Sequence, residues 1–244
     1  MKYALNQDNH QEMDMRSLIS MLVMLTFIIV SGCGSGDAVK ILRSDPDDGL
    51  PDAVDYFHME SGDVWYYTYT NENNDSWQVK REIGAKIATD YTTPLACTGI
   101  YENGEFFECW SIDAYSFKQH YLGVRLSTTE VEVLSVDPYL EIPLDLRSDE
   151  PHYFNSVATD ISNPLISFTV SGYLIFDGYS THTIPTGTFE NCMTLLYAPT
   201  DANGNPDTDS PDAYREYYAP YIGLIDNGDI VLDSAYIDGI RYPR

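Results

Sequence analysis

Aromatic residues at every second position constrain this chain more than any other feature. In the run VWYYTYT (residues 64–70) Trp65, Tyr67 and Tyr69 share one parity. After the polar cluster Asn71, Glu72, Asn73, Asn74 and Asp75, the rhythm resumes in Trp77, Val79, Arg81 and Ile83. A period of two places such side chains on one face of an extended strand, whereas a helix needs a repeat near 3.6. Two such runs around a turn-rich cluster predict a β-hairpin. Residues 95–101 and 105–112 flank Glu102, Asn103 and Gly104 as a second hairpin, with Gly104 able to take positive φ. Residues 165–176 (LISFTVSGYLIF), 188–197, 214–219 and 229–237 add further runs rich in β-branched and aromatic side chains. No stretch sustains a helical period. The expected fold is therefore all-β: a single antiparallel domain of roughly nine to eleven strands. A curved sheet or open barrel is the first expectation, and a two-sheet sandwich the alternative.

The first part of the chain reads differently. Residues 18–30 (LISMLVMLTFIIV) form an uncharged apolar run, preceded by Arg16. A bilayer-crossing helix needs about 20 apolar residues, so this run suits the apolar region of an export signal better than a span. Asp8 and Glu12 sit poorly in such a signal, which points to translation starting at Met13 or Met15. Residues 34–52 (GSGDAVKILRSDPDDGLPD) lack periodicity and are rich in Gly, Pro and Asp, as a flexible tether is. The organisation expected is a signal peptide over 1–32, an anchor and tether over 33–53, and the β-rich domain over 54–244.

Val30, Ser31, Gly32 and Cys33 directly follow the apolar run and resemble the lipobox of bacterial lipoproteins. That resemblance implies cleavage before Cys33, acylation of its thiol and amino group, and attachment to a membrane through the lipid. By the same resemblance Gly34, where Asp would favour inner-membrane retention, points to the outer membrane of the bacterial envelope.

Charge narrows the partners. The 244 residues include 38 acidic and 13 basic side chains, a formal charge of −25. Removing residues 1–32 takes away three acids and two bases and leaves −24, so the acidity belongs to the mature domain. Such a surface repels phosphate backbones and anionic headgroups. No nucleic-acid partner is expected, and a membrane would be reached through Cys33 rather than through a basic patch. A monomer is expected.

Three constellations have chemical potential. Asp201, Asn203, Asn205, Asp207, Asp209 and Asp212 place oxygen side chains along one loop, as a calcium site requires. Pro206 stands where such loops carry glycine and Asp212 where they carry glutamate, so a soluble connecting loop is the plainer expectation. Cys97 and Cys109 would face each other if residues 102–104 form a three-residue loop, which makes a disulfide possible in an exported domain. Cys192 could instead take one partner. Trp65, Tyr67, Tyr69, Trp77 and Trp110 could line an apolar pocket, or simply build the core. The histidines, His182 among them, fall in no zinc or hydrolase spacing, and no phosphate-binding or nucleophile-elbow motif occurs. No catalytic residue and no required cofactor are assigned.

Three ordered segments carry a wider resemblance. Residues 56–67 resemble an opening of the type Gly-x-x-Trp-x-Tyr, residues 184–192 a Pro-x-Gly-Thr-Phe-x-x-Cys segment, and residues 217–225 a Tyr-Tyr-Ala-Pro-x-x-Gly-Leu segment. Together they resemble a broad group of bacterial lipoproteins and secreted β-rich proteins without an established activity. The likeness spans about residues 55–236. The chain departs from it at His58, where proline is usual, and at Tyr221, where glycine is usual. The resemblance implies a non-enzymatic envelope protein with a binding or structural role. The rival classes are a carrier of an apolar ligand, a sugar- or calcium-binding adhesion module, and an envelope hydrolase.

Overall fold

The computed structural model describes residues 53–57, 59–71, 73–88, 96–113, 115–125, 127, 130–145 and 150–243. The apolar run, Cys33, the tether and His58 lie outside the described residues.

Thirteen strands follow a 3-10 turn at Ala53–Tyr56. They are β1 Val64–Thr70, β2 Ser76–Ala88, β3 Ala96–Glu102, β4 Glu105–Ile112, β5 Ser116–Arg125, β6 Val131–Pro143 and β7 His152–Asp160. β8 Ser167–Ile184, β9 Gly187–Ala198, β10 Tyr214–Ala219, β11 Gly223–Asp226, β12 Ile230–Ile237 and β13 Ile240–Tyr242 complete the series. Each strand pairs antiparallel with the next, and β1 also pairs with β12. Twelve strands thus close an up-and-down barrel, and β13 folds back on the far end of β12. The expected all-β antiparallel class is what forms, with the barrel closed rather than open.

The aromatic alternation sets β1. Trp65, Tyr67 and Tyr69 point inward and are buried, while Tyr66, Thr68 and Thr70 alternate outward. On β2 the same parity turns Val79, Arg81 and Ile83 into the core. Before β1, Tyr56, Phe57 and Met59 insert among the strands. The Phe57 ring meets Phe117 of β5 at 4.6 Å and Tyr218 of β10 at 5.1 Å. The Tyr56 hydroxyl donates to the Asn191 carbonyl of β9 at 2.8 Å. The barrel interior is therefore filled by its own side chains.

Two local features differ from the simple strand pattern. β8 runs through to Ile184, well beyond Phe176, because register shifts at Phe176/Gly178 and Ser180/His182 break the alternation without ending the strand. Gly178 there adopts φ 95°, a conformation that only glycine takes readily. The β8–β9 connection is a two-residue loop, Pro185–Thr186, since Ile184 pairs with Gly187.

The interior holds a charged network beside its aromatics. Glu102 on β3 accepts from Arg81 Nε on β2 at 2.8 Å and from Arg125 on β5. Both arginines and Glu102 are almost wholly withdrawn from solvent. Arg81 also lies 4.7 Å over the Phe107 ring and 5.7 Å from that of Tyr67. Gly123 makes room for Phe107: a Cβ there would sit 2.2 Å from the ring. Burial, and then repulsion from Arg81, push the Arg125 guanidinium down to about 10.

Removing one member of such a network strands the others in a dry interior. Glu102→Gln is expected to lose about 3–5 kcal/mol of unfolding free energy in urea denaturation. Replacing Glu102, Arg81 and Arg125 together by apolar residues is expected to recover part of that loss. A Glu102→Gln effect below about 1 kcal/mol would exclude the network as a structural centre.

Candidate functional site

The sequence-nominated aromatics sit in the core. Trp65 and Trp110 are about 1% exposed, and Tyr67 and Tyr69 are also buried. Trp65 Nε1 donates to the Ile222 carbonyl at 2.8 Å, and the Tyr67 hydroxyl donates to the Leu224 carbonyl at 3.1 Å. Trp77 packs on Tyr69 with ring centroids 4.6 Å apart. Of the two readings, pocket or core, the packing of these five residues is that of the core: four are buried and Trp77 is partly buried against them. A small cavity of about 10 Å³ lies elsewhere, among Leu140, Ile142, Phe154, Leu174 and Tyr197. It is about the size of one water molecule, and its walls are apolar.

Cys97 and Cys109 are bonded, with Cα atoms 5.6 Å apart. The register differs from the expected one. Glu102 pairs with Glu105, so the loop is Asn103–Gly104 alone, and both residues take positive φ. A register shift at Ile100/Tyr101 then sets Gly99, not Cys97, opposite Cys109, and the disulfide spans the diagonal. Cys192 is free and buried, and its thiol donates to the Phe189 carbonyl.

The Asp201–Asp212 loop is organised around its backbone. Asp201 Oδ1 accepts from the amides of Asn203 at 2.8 Å and Asn205 at 2.7 Å. Those bonds, the Asn205 amide first, hold the Asp201 carboxyl below its ordinary range. Among the described residues, no three His, Cys, Asp or Glu side chains converge as a metal shell. The loop also meets the barrel, through the Tyr173 hydroxyl donating to the Gly204 carbonyl at 2.6 Å.

Tyr221 takes φ 63°, the left-handed conformation that a glycine would adopt at this turn. Its amide is fixed by the Asp55 carbonyl at 2.5 Å. The turn after Pro220 therefore keeps glycine-like geometry in spite of its side chain.

Several groups that the sequence did not single out carry the unusual electrostatics. Glu216 on β10 is fully buried and accepts from the Tyr218 hydroxyl at 2.6 Å. The Tyr197 hydroxyl lies beside the same carboxyl. Burial first, with Glu108 adding to it, holds Glu216 well above the usual carboxylate range. Glu108 in turn accepts from Trp110 Nε1 at 3.0 Å. The signal for Glu216 in the sequence was parity alone: it falls on the same face as Tyr214 and Tyr218.

Two histidine pairs lie nearer the surface. Ser111 Oγ and His120 Nε2 are 2.7 Å apart, and burial lowers the His120 pKa. His182 Nε2 is 2.8 Å from Asp226 Oδ2 and stacks on Tyr217 at 3.7 Å. His182 is therefore a paired and stacked side chain. A hydrolytic triad needs nucleophile, base and orienting acid in one chain of contacts. Among the described residues the first pair has no carboxylate on His120, and the second has no hydroxyl or thiol on His182.

No family model matches the chain, and no curated protein matches it. Among solved structures it is similar to a crystal structure described as a "putative lipoprotein" from Parabacteroides distasonis. The two share 13% identity over 74% of this chain and 97% of that one, with a TM-score of 0.45.

The buried carboxyl has a clear pH signature. Unfolded, Glu216 ionises near the ordinary glutamate value of 4.5; folded, it keeps its proton to higher pH. Its contribution is therefore complete below about 4.5 and is lost as pH rises toward the folded value. Glu216→Gln, neutral throughout, is expected to match the parent near pH 4.5 and to become the more stable of the two as pH rises. Thermal unfolding of both proteins from pH 4.5 to 8.5 measures this, and parallel profiles would contradict it.

Proposed function

We propose that this protein is a non-enzymatic, lipid-anchored component of a bacterial cell envelope, with a binding or structural role exercised by the outer surface of its barrel. The observation that carries this reading is the order of the sequence: an apolar run, Cys33 at its end, a Gly/Pro/Asp-rich tether, then the barrel. Acylation at Cys33 would add more than one chain, enough for stable anchoring where a single chain is marginal. Gly34 favours the outer membrane. The packed interior favours a role for the surface over a role as carrier, because side chains occupy the space a ligand would need.

Mass spectrometry of the amino-terminal peptide of protein expressed in a bacterial host tests the anchor. The expected product begins at acylated Cys33. Cys33→Ser is expected to move the protein from the membrane to the soluble fraction while leaving the Cys97–Cys109 bond intact. An unmodified Cys33, or retention of residues 1–32, would refute the reading.

A further inference from the structure

The meander sorts its turns onto two ends. Because every strand runs antiparallel to the next, the β1–β2, β3–β4, β5–β6, β7–β8, β9–β10 and β11–β12 connections lie at one end. Five of these six carry a solvent-exposed or half-buried acid in the turn or at its edge: Asp75, Glu105, Glu130, several in the Asp201–Asp212 loop, and Asp229. The β7–β8 connection is the exception. Residues 161–176 contain no charged side chain, although 21% of the whole chain is charged. Within residues 151–176 the only charge is Asp160, whose carboxylate is bonded to the Ser162 amide at 2.7 Å and to its hydroxyl.

The exposed apolar side chains concentrate on the same hairpin. Leu165 is 94% exposed at its tip, flanked by Ile161 at 50% and Ile166 at 42%. Val157 extends the patch along the outward face of β7, where it pairs across to Thr169. Leaving such residues in water is costly by about 25 cal/mol for each Å² of apolar surface, so a patch gathered at one protruding point marks a contact.

We infer that the β7–β8 tip is a second membrane contact, seating Leu165, Ile161 and Ile166 in the interfacial layer of a zwitterionic lipid surface. Three observations select lipid over another occupant. The tip's own residues carry no charge on an end otherwise ringed with acids, and the acid at its edge, Asp160, is already buried and bonded to Ser162, so approach to lipid desolvates no exposed ion there. That acidic ring opposes a second copy of the same end meeting it. The length of the chain also allows the contact. The described chain enters the barrel beside Tyr179, against which Tyr56 stacks. Tyr179 lies about 40 Å along β8 from Ser167. A tether of about twenty residues spans up to about 65 Å when extended, so an anchor at Cys33 lets the tip reach the bilayer. The inference rests on the anchored reading for this proximity. It predicts that the contact is weak alone, and that it orients the barrel once the anchor holds it near. It also predicts that anionic lipid weakens it, since Glu130, Glu132 and the Asp201–Asp212 loop share that end.

The test uses the full lipidated chain in vesicles. A polarity-sensitive nitrobenzoxadiazole label is placed at Leu165→Cys or, on the opposite end, at the exposed Tyr115→Cys. Cys192 is buried and Cys97 and Cys109 are bonded, so the introduced thiol is the reactive one among the described residues. In phosphatidylcholine vesicles the Leu165 label is expected to shift its emission to the blue and the Tyr115 label to stay at its aqueous value. Including one quarter phosphatidylglycerol is expected to reduce the shift. The unanchored Cys33→Ser chain is expected to partition weakly onto phosphatidylcholine vesicles, and Leu165→Asp, at a solvent-exposed position that leaves the fold intact, to weaken that partitioning about tenfold or more. A membrane-bound protein whose Leu165 label stays aqueous would overturn the inference and leave the anchor standing. A Leu165 label already blue-shifted without vesicles, in a concentration-dependent way, would also overturn it, in favour of self-association. Failure of Cys33 acylation would be seen separately by mass spectrometry, and the unanchored partitioning would then decide the tip on its own.

Discussion

Glu102 is the point on which the closed barrel turns. Its two oxygens hold Arg81 from β2 and Arg125 from β5, so one carboxylate on β3 joins three strands across the interior. Taking three charges out of water is unfavourable unless all of them are paired at once. The network therefore forms as a unit or not at all, and it penalises wrong registers. A slip of one residue in β2 would turn Arg81 outward and bring Lys80 and Glu82 in. Phe107 and Tyr67 then close around Arg81, and Gly123 is small because Phe107 occupies the place of its side chain.

The same logic assigns a protonation state to Glu216. Burial, with the Glu108 carboxyl adding to it, opposes a negative charge on Glu216 more than the nearby Arg81 favours one. Glu216 keeps its proton instead, with the Tyr218 hydroxyl on one oxygen. A neutral acid can donate as well as accept, which suits a position beside two tyrosine hydroxyls. The barrel thus contains a polar centre that costs little only because one member stays uncharged. That centre, together with Tyr56 and Phe57 inserted from the amino-terminal segment, occupies the interior as packed side chains rather than a binding space.

Alternation made β1, β2 and the later strands legible, because one face is aromatic or aliphatic and the other polar. It failed for β5, β6 and β7. On β5 the inward Gln119 and the outward Lys118 and His120 give no contrast in polarity, and a register shift at Gln119/Tyr121 resets the parity midway. The disulfide was readable from the hairpin, but its diagonal geometry was not, because a bulge inside a strand leaves no mark in a single sequence. Arg81 carries the sequence signal for the interior network. It stands between Val79 and Ile83 on the apolar parity of β2, and a charge on a buried face asks for a buried partner. The aromatics were open to two readings, pocket or core, and the core took them because Tyr56 and Phe57 supply further rings.

Part of the acidity follows from topology. A thirteen-strand meander needs twelve connections, and turns of this kind expose backbone amides that no ladder satisfies. Aspartate carboxylates take up many of them. Asp63 accepts from the Glu60 and Asp238 amides, Asp113 from Tyr115 and Ser116, Asp160 from Ser162, Asp201 from Asn203 and Asn205, and Asp226 from Gly228. Such bonds favour the ionised form: the Ser162 hydroxyl and amide lower the Asp160 pKa, as the Asn205 and Asn203 amides lower that of Asp201. Asparagine or serine could cap the same turns without charge, and Asn71 and Asn227 do so here. The preference for aspartate therefore adds something beyond turn geometry: a like-charged rim that keeps the barrel ends from associating. Where that rim is interrupted, at residues 161–166, the surface is also most apolar, and the two properties at one turn are what distinguish it from the other connections at its end.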